Sequence, residues 1–194
     1  MKKILLVLFA TLSLNVFAKE QSFKELPTDK ISEDKILVQE FFYYGCPHCY
    51  SMEKDLEEWK ENIDLNKYKI EQVPVIFGYM SVDAAKHHYV AEMFGFMETF
   101  KKEYFNQIIN KKQRISDGLA IEILTRLGAN KEKVIEAMES YKISKMVKNS
   151  LALSKNYGII SVPSFVVNGK YYIDAETAGS KENIFNTIES VSKK

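Results

Sequence analysis

Residues 36–44 read Ile-Leu-Val-Gln-Glu-Phe-Phe-Tyr-Tyr, a near-continuous apolar run that suits a strand buried on both faces. Beyond it Met52, Leu56, Trp59 and Ile63 recur every three or four positions and predict an amphipathic helix. Glu53, Asp55, Glu57 and Glu58 make its first half acidic, which suits the dipole at a helix N-terminus. A second strand is predicted over 68–77, with Pro74 placing part of it at an edge or out of the ladder. Strand, helix, strand implies a parallel pair joined by a right-handed crossover. From 82 to 157 the period becomes helical. Val82, Ala85, Tyr89, Met93, Phe94 and Met97 form one stripe, which Phe100, Tyr104, Phe105, Ile108 and Ile109 continue. Ser116 caps a helix through Leu127 that Gly128 stops, and Asn130 caps another carrying Val134, Ala137, Met138 and Tyr141. A last helix of this block carries Ile143, Met146, Val147, Leu151 and Tyr157 and ends at Gly158. Then Phe165-Val166-Val167 and Tyr171-Tyr172-Ile173 flank Asn168-Gly169-Lys170, a hairpin signal. Ser180 opens a final helix with Ile184, Phe185, Ile188 and Val191 on one face. Residues 19–35 are polar, with one short strand around 23–26.

The first residues have a different logic. Met1-Lys2-Lys3 precedes an apolar stretch over 4–14, and Val16-Phe17-Ala18 offers small residues where a signal peptidase cuts, so cleavage is expected after Ala18. The apolar stretch is shorter than the roughly 20 residues a membrane-spanning helix needs. The residue directly after the cut is Lys19 and not a cysteine, which argues against a lipoprotein. The expected product is exported and soluble, in the periplasm, where disulfides persist. Removing Lys2 and Lys3 with the leader leaves 25 basic against 26 acidic residues, a balance that offers nothing to nucleic acid or an anionic membrane.

The only two cysteines, Cys46 and Cys49, stand where the first strand gives way to the first helix. A disulfide there closes so short a loop that it adds little as a staple. Zinc needs about four ligands, and a second cysteine pair is missing. Haem attachment needs His after the second Cys, where Tyr50 stands. A dithiol that cycles remains, with no metal and no cofactor. Cys46 would head the helix, with Pro47 in its first turn, and the dipole there lowers a thiol pKa. His48 can donate to the thiolate or carry positive charge, although a solvated loop residue would look the same. Cys49, one turn deeper, would resolve mixed disulfides. His87 and His88 read as surface or satisfied core positions.

Cys46-Pro47-His48-Cys49-Tyr50, following Glu40-Phe41-Phe42, resembles the active site of the DsbA family of thiol:disulfide oxidoreductases. The resemblance extends over most of the chain after residue 19. It implies an α/β architecture, a thioredoxin-like fold with an inserted all-helical domain. The expected divisions are a signal peptide 1–18, thioredoxin-like parts 19–80 and 158–194, and a helical insertion 81–157. Ser161-Val162-Pro163-Ser164 stands where thioredoxin-fold proteins carry a cis-Pro facing the cysteines, so Val162 and Pro163 are expected to hold substrate as an added strand. An ordinary turn proline is the plain alternative. Glu40, a carboxylate inside an apolar strand, is either turned to an edge or a buried acid tuning the thiols. Family members usually pair it with a Lys on the neighbouring strand, but Gln72 is expected opposite here. Glu53 matches a family acid. The resemblance further implies reduced or unfolded exported proteins as substrates, reoxidation by a DsbB-type quinone-linked membrane oxidase, and a monomer. A disulfide isomerase and a peptide-binding chaperone with incidental thiols are the competing readings. No region is left for the separate dimerisation domain that such isomerases often carry, and refolding of a cysteine-free client would separate the chaperone.

Overall fold

A computed structural model describes residues 22–31 and 34–194. The expected leader, 1–18, lies outside them. Five strands form one sheet in the order β1-β5-β4-β2-β3: β1 Lys24–Glu25, β2 Ile36–Phe42, β3 Tyr68–Pro74, β4 Ser164–Val167 and β5 Tyr171–Ile173. β2 runs parallel to β3 and antiparallel to β4, so the apolar run of the sequence is flanked on both edges. Leu37 through Phe42 are all buried. Each wholly buried Phe here contributes about 1.5–3 kcal/mol. The β4–β5 turn is left-handed at Asn168 (φ 48°) and Gly169 (φ 66°), a conformation that Asn and Gly adopt readily. A Cβ on Gly169 would also stand 2.9 Å from the Ile31 side chain.

The helices are α1 Pro47–Asn62, α2 Tyr79–Met93, α3 Met97–Phe105, α4 Asp117–Arg126, α5 Lys131–Glu139, α6 Tyr141–Asn156 and α7 Ile184–Val191, with a π-helical turn Asn106–Asn110 after α3. Four of them start on side chains that satisfy orphan backbone N–H groups: Cys46, Ser116, Asn130 and Ser140. Alternation along β2 puts Val38, Glu40 and Phe42 on one face. Val38 joins the core under α1 and α7, and Phe42 joins the core of the helical block, so Glu40 sits at the joint between two apolar clusters.

Several boundaries differ from the sequence expectation. β3 stops at Pro74 rather than at 77 because Ser81 Oγ accepts the N–H groups of Phe77 and Gly78 and turns the chain into α2. The long stripe from Val82 to Ile109 is broken at Gly95 (φ 76°), and Val82 and Met93 are each 38% exposed. α7 begins at Ile184, not Ser180, because Lys181 reaches back to Asp55 at 2.6 Å and holds that stretch as turns.

Candidate active site

β2 ends at Phe42, and Tyr43-Tyr44-Gly45 carries the chain over the top of the sheet into α1. The Cys46 N–H donates to Tyr43 O at 3.0 Å and closes this turn. A Cβ on Gly45 would lie 2.5 Å from the Tyr43 ring, so the turn closes this tightly because the residue is glycine. Cys46 is the N-cap of α1 and its Sγ accepts from the Cys49 N–H at 3.5 Å. Pro47 occupies the first turn, where its missing N–H costs nothing. Both thiols are free, Cys46 half-buried and Cys49 wholly buried.

The two sulfurs have opposite acidities. The Cys49 thiol bonds to Cys46, and this, against the opposing effect of burial and with help from the Cys49 and His48 backbone N–H groups and the His48 charge, lowers the Cys46 pKa to about 6. The same bond, with burial, pushes the Cys49 thiol far above its ordinary range. His48 is exposed, and its charge is the smallest of these effects on Cys46. The helix end and the partner thiol therefore outweigh the histidine.

The Val162–Pro163 bond is cis, and the Cys46 thiol donates to Val162 O at 3.6 Å. Residues from the two ends of the chain thus meet at the reactive sulfur. Ile160, two positions upstream, is 86% exposed. Tyr43, three residues before Cys46, packs edge-on against exposed Phe77. Neither Ile160 nor Phe77 was singled out by the sequence pattern.

Glu40 is wholly buried, not turned to an edge. Gln72 stands opposite it in the β2–β3 register and donates to Glu40 Oε2 at 3.0 Å. The cation comes from elsewhere: Lys101 of α3, itself buried, lies 2.9 Å from Glu40 Oε2 and 2.7 Å from Glu53 Oε1. Its ammonium also sits 4.2 Å from the centre of the Phe42 ring. Burial pulls the Lys101 pKa down, but the two carboxylates outweigh it and leave it above the ordinary lysine value. Burial and the Glu40 charge, partly offset by Lys101, lift the Glu53 carboxyl to about 7. Glu40 Oε1 has no hydrogen-bond partner among the described residues. Lys101 was not singled out in the sequence, where it stands beside a second lysine, Lys102. Its helical neighbours Met97, Phe105 and Ile108 carried the signal, since they put Lys101 inside an apolar stripe.

His87 and His88 are both buried and partnered. His87 Nδ1 meets the Tyr104 hydroxyl at 2.7 Å and Nε2 meets Asp117 Oδ1 at 2.7 Å, while His88 Nδ1 meets the Tyr44 hydroxyl at 3.1 Å. Among the described residues no group of three or more His, Cys, Asp and Glu could hold a metal ion, and no helix is long and apolar enough to cross a membrane.

A family model described as a DSBA-like thioredoxin domain matches residues 37–182. The thiol:disulfide interchange protein DsbA of Azotobacter vinelandii is 30% identical over 173 residues, spanning 87% of this chain and 80% of that protein. The DsbA of Burkholderia cepacia is 35% identical over 138 residues, 71% of this chain and 65% of that protein's length. The crystal structure of Pseudomonas aeruginosa DsbA superposes with a TM-score of 0.78 at 26% identity, covering 90% of this chain and 95% of that one. With two thiols of opposed acidity at a helix start, and this match across three quarters of its length, the chain belongs to the DsbA-like thioredoxin-domain family and is a thiol:disulfide oxidoreductase.

Proposed function

We propose that this protein is a dithiol oxidase that introduces disulfides into newly exported polypeptides in the periplasm, after removal of residues 1–18. A client thiolate attacks the Cys46 sulfur of the oxidised enzyme, and the Cys46–Cys49 bond breaks. Cys49 leaves with the electron pair and takes up a proton. A second client thiolate then attacks the client sulfur of the mixed disulfide, and Cys46 departs as a thiolate. Stabilising that departing thiolate makes the reduced enzyme the favoured product, and hence the disulfide an oxidant. The single observation behind this reading is the pKa of about 6 at half-open Cys46, set beside a buried Cys49 that stays protonated.

In this reading Pro47 fixes the helix start, and His48 adds a small positive contribution. Val162 and Pro163 receive the extended client beside Cys46. Glu40 and Glu53 tune the thiols. The helical block, 81–157, covers the buried side of the pair, between thioredoxin-like parts 19–80 and 158–194. Reoxidation falls to a quinone-linked membrane oxidase of the DsbB type, and the enzyme works as a monomer.

The test follows disulfide formation by mass in a reduced two-cysteine peptide given stoichiometric oxidised protein, with thiolate absorbance of the reduced protein titrated in parallel. The expected result is rapid peptide oxidation, lost in Cys46→Ser, and a thiolate midpoint near 6. A midpoint at the ordinary thiol value of 9.0 with no net peptide oxidation would overturn the reading.

A further inference from the structure

The loop that carries Val162 has no backbone anchor of its own. The Ile159 N–H donates to Ser154 O at 2.9 Å before the loop, and Ser164 opens β4 after it. Between them Ile160, Ser161 and Val162 make no backbone–backbone hydrogen bond among the described residues. The polar hold on the loop is Ser161, whose Oγ lies 3.1 Å from the Tyr172 hydroxyl and 3.3 Å from Asp174 Oδ2. The Tyr172 hydroxyl donates to the same Asp174 Oδ2 at 2.7 Å. That phenol spends its one hydrogen on Asp174, so Ser161 is the donor to whichever of the two it meets. Asp174 is fixed in turn: its Oδ1 accepts the Thr177 N–H at 2.9 Å, and its own N–H donates to Thr177 Oγ1 at 2.9 Å. Against burial, the bonds from Thr177, Tyr172 and Ser161 hold the Asp174 carboxyl below its ordinary value, so it stays an acceptor. Burial, helped by the Asp174 charge, lifts the Tyr172 hydroxyl to about 12, so it stays a donor. Ser164, wholly buried, lies by the same phenol, and its Oγ has no hydrogen-bond partner of normal length among the described residues. Tyr172 thus meets the residues on both sides of Val162-Pro163. Its ring belongs to the core with Phe41 and Val166, against which Val162 also packs. Ser161, by contrast, is exposed, and an exposed hydroxyl adds little to folding stability.

We propose that Ser161 and Tyr172 are positioning residues for client binding, through which the Asp174 carboxylate fixes the Val162 backbone beside Cys46. The inference deepens the oxidase reading and rests on its assignment of Val162 and Pro163 to the client. The Cys46 thiol donates to Val162 O at 3.6 Å, so loop and sulfur must keep this register for a client strand to bring its cysteine onto Cys46. A loose loop has to be ordered by each client, at a cost in affinity, and a loop already tied to β5 spares that cost. The hydroxyl chain leaves the Val162 backbone open while it holds the residue before it. A small thiol needs only the sulfur and gains nothing from the loop. The network therefore favours extended polypeptides over small thiols as partners of Cys46.

The test is single-turnover reduction of the oxidised protein, quenched with acid and read by mass. The reductant is a reduced two-cysteine peptide over a range of concentrations and, separately, glutathione. Wild type, Tyr172→Phe, Ser161→Ala and the double variant are compared, with Ser161→Thr as the variant that keeps the hydroxyl. Each hydroxyl deletion should raise the half-saturating peptide concentration about three- to tenfold. The saturating rate, the glutathione rate and the Cys46 thiolate midpoint should stay at their wild-type values. The double variant should lose less than the product of the two single losses, because both hydroxyls act through Asp174. Ser161→Thr should stay near wild type. Unchanged peptide saturation in Tyr172→Phe, or equal losses with peptide and with glutathione, overturns the proposal even if the protein oxidises peptides normally. So do independent losses in the double variant. If Tyr172→Phe does not fold, Ser161→Ala decides on the same comparison of peptide with glutathione. Failure of wild type to oxidise the two-cysteine peptide counts against the oxidase reading separately.

Discussion

Two polar clusters lie buried within a few turns of helix of each other, and they are built on opposite terms. Tyr104, His87 and Asp117 belong to the helical block, and each atom of the His87 ring that can bond has a partner. Asp117 opens to solvent and also takes Lys86 at 2.8 Å. The imidazole stays neutral because burial opposes its charge more than Asp117 supports it. Glu40, Lys101 and Glu53 cross from the sheet and α1 to α3, carry more negative than positive charge, and leave Glu40 Oε1 unpartnered. A satisfied buried network adds rigidity, whereas an unsatisfied one is costly and persists where chemistry uses it. The first cluster has the character of architecture. The second, beside Cys49, has that of a site.

The largest effect should come from breaking the crossing cluster. Lys101→Met leaves two buried carboxyls without their cation, and stability should fall by about 3–5 kcal/mol, read from urea midpoints at pH 7. Carrying out that unfolding at pH 5 should recover part of the loss, because Glu53, whose carboxyl is lifted to about 7 by burial and the Glu40 charge, is then protonated. A loss that does not vary with pH would mean that packing rather than charge was removed.

Next comes the satisfied cluster. His87→Phe orphans the buried Tyr104 hydroxyl and should cost about 1–3 kcal/mol. It should leave the Cys46 titration in place. Movement of the thiol midpoint would erase the distinction between architecture and site.

The pH dependence of stability separates the groups by sign. The Cys46 pKa is depressed on folding, so the contribution of its thiolate to the reduced protein is fully present above about 9 and is lost as pH falls through about 6. The Glu53 pKa is raised, so its contribution is present below 4.5 and is lost as pH rises through about 7. His88, held down to about 3 from 6.5, makes the fold lose stability as pH falls below 6.5. Denaturant midpoints of Cys46→Ser should lack the rise between pH 6 and 9 that reduced wild type shows. Identical curves would remove Cys46 from this account.

The smallest shift is expected at His48. Because its charge is the least of the effects on Cys46, His48→Ser should raise the thiolate midpoint less than Cys49→Ala, which deletes the greatest. Absorbance titrations of the two variants decide the order. The reverse order would restore the histidine to first place. Cys49→Ala is for the same reason a poor background for measuring the native Cys46 value.

Much of this could be read locally. A seven-residue run that is apolar but for Gln39 and Glu40 marked the central strand, a Cys pair next to Pro47 marked the helix start, and Asn168-Gly169 marked the hairpin. Ser116 and Asn130 announced two helices, because a cap is a bond between residues three apart. The positions that failed were those settled by distant partners. Pro74 ends β3 where Ser81 captures the following amides, and Lys181 unwinds the expected start of α7 by bonding to α1.

Glu40 shows the division most clearly. The sequence by itself determined that an acid stood in a buried strand and that Gln72 faced it, since period and register are short-range properties. It could not supply the cation, because Lys101 lies 61 residues away on a helix of the other block. A charge is drawn to whatever opposite charge the fold brings within a few ångströms, whatever the separation along the chain. The tertiary structure therefore decided which lysine answered the acid, and with it how the helical block is joined to the thiols.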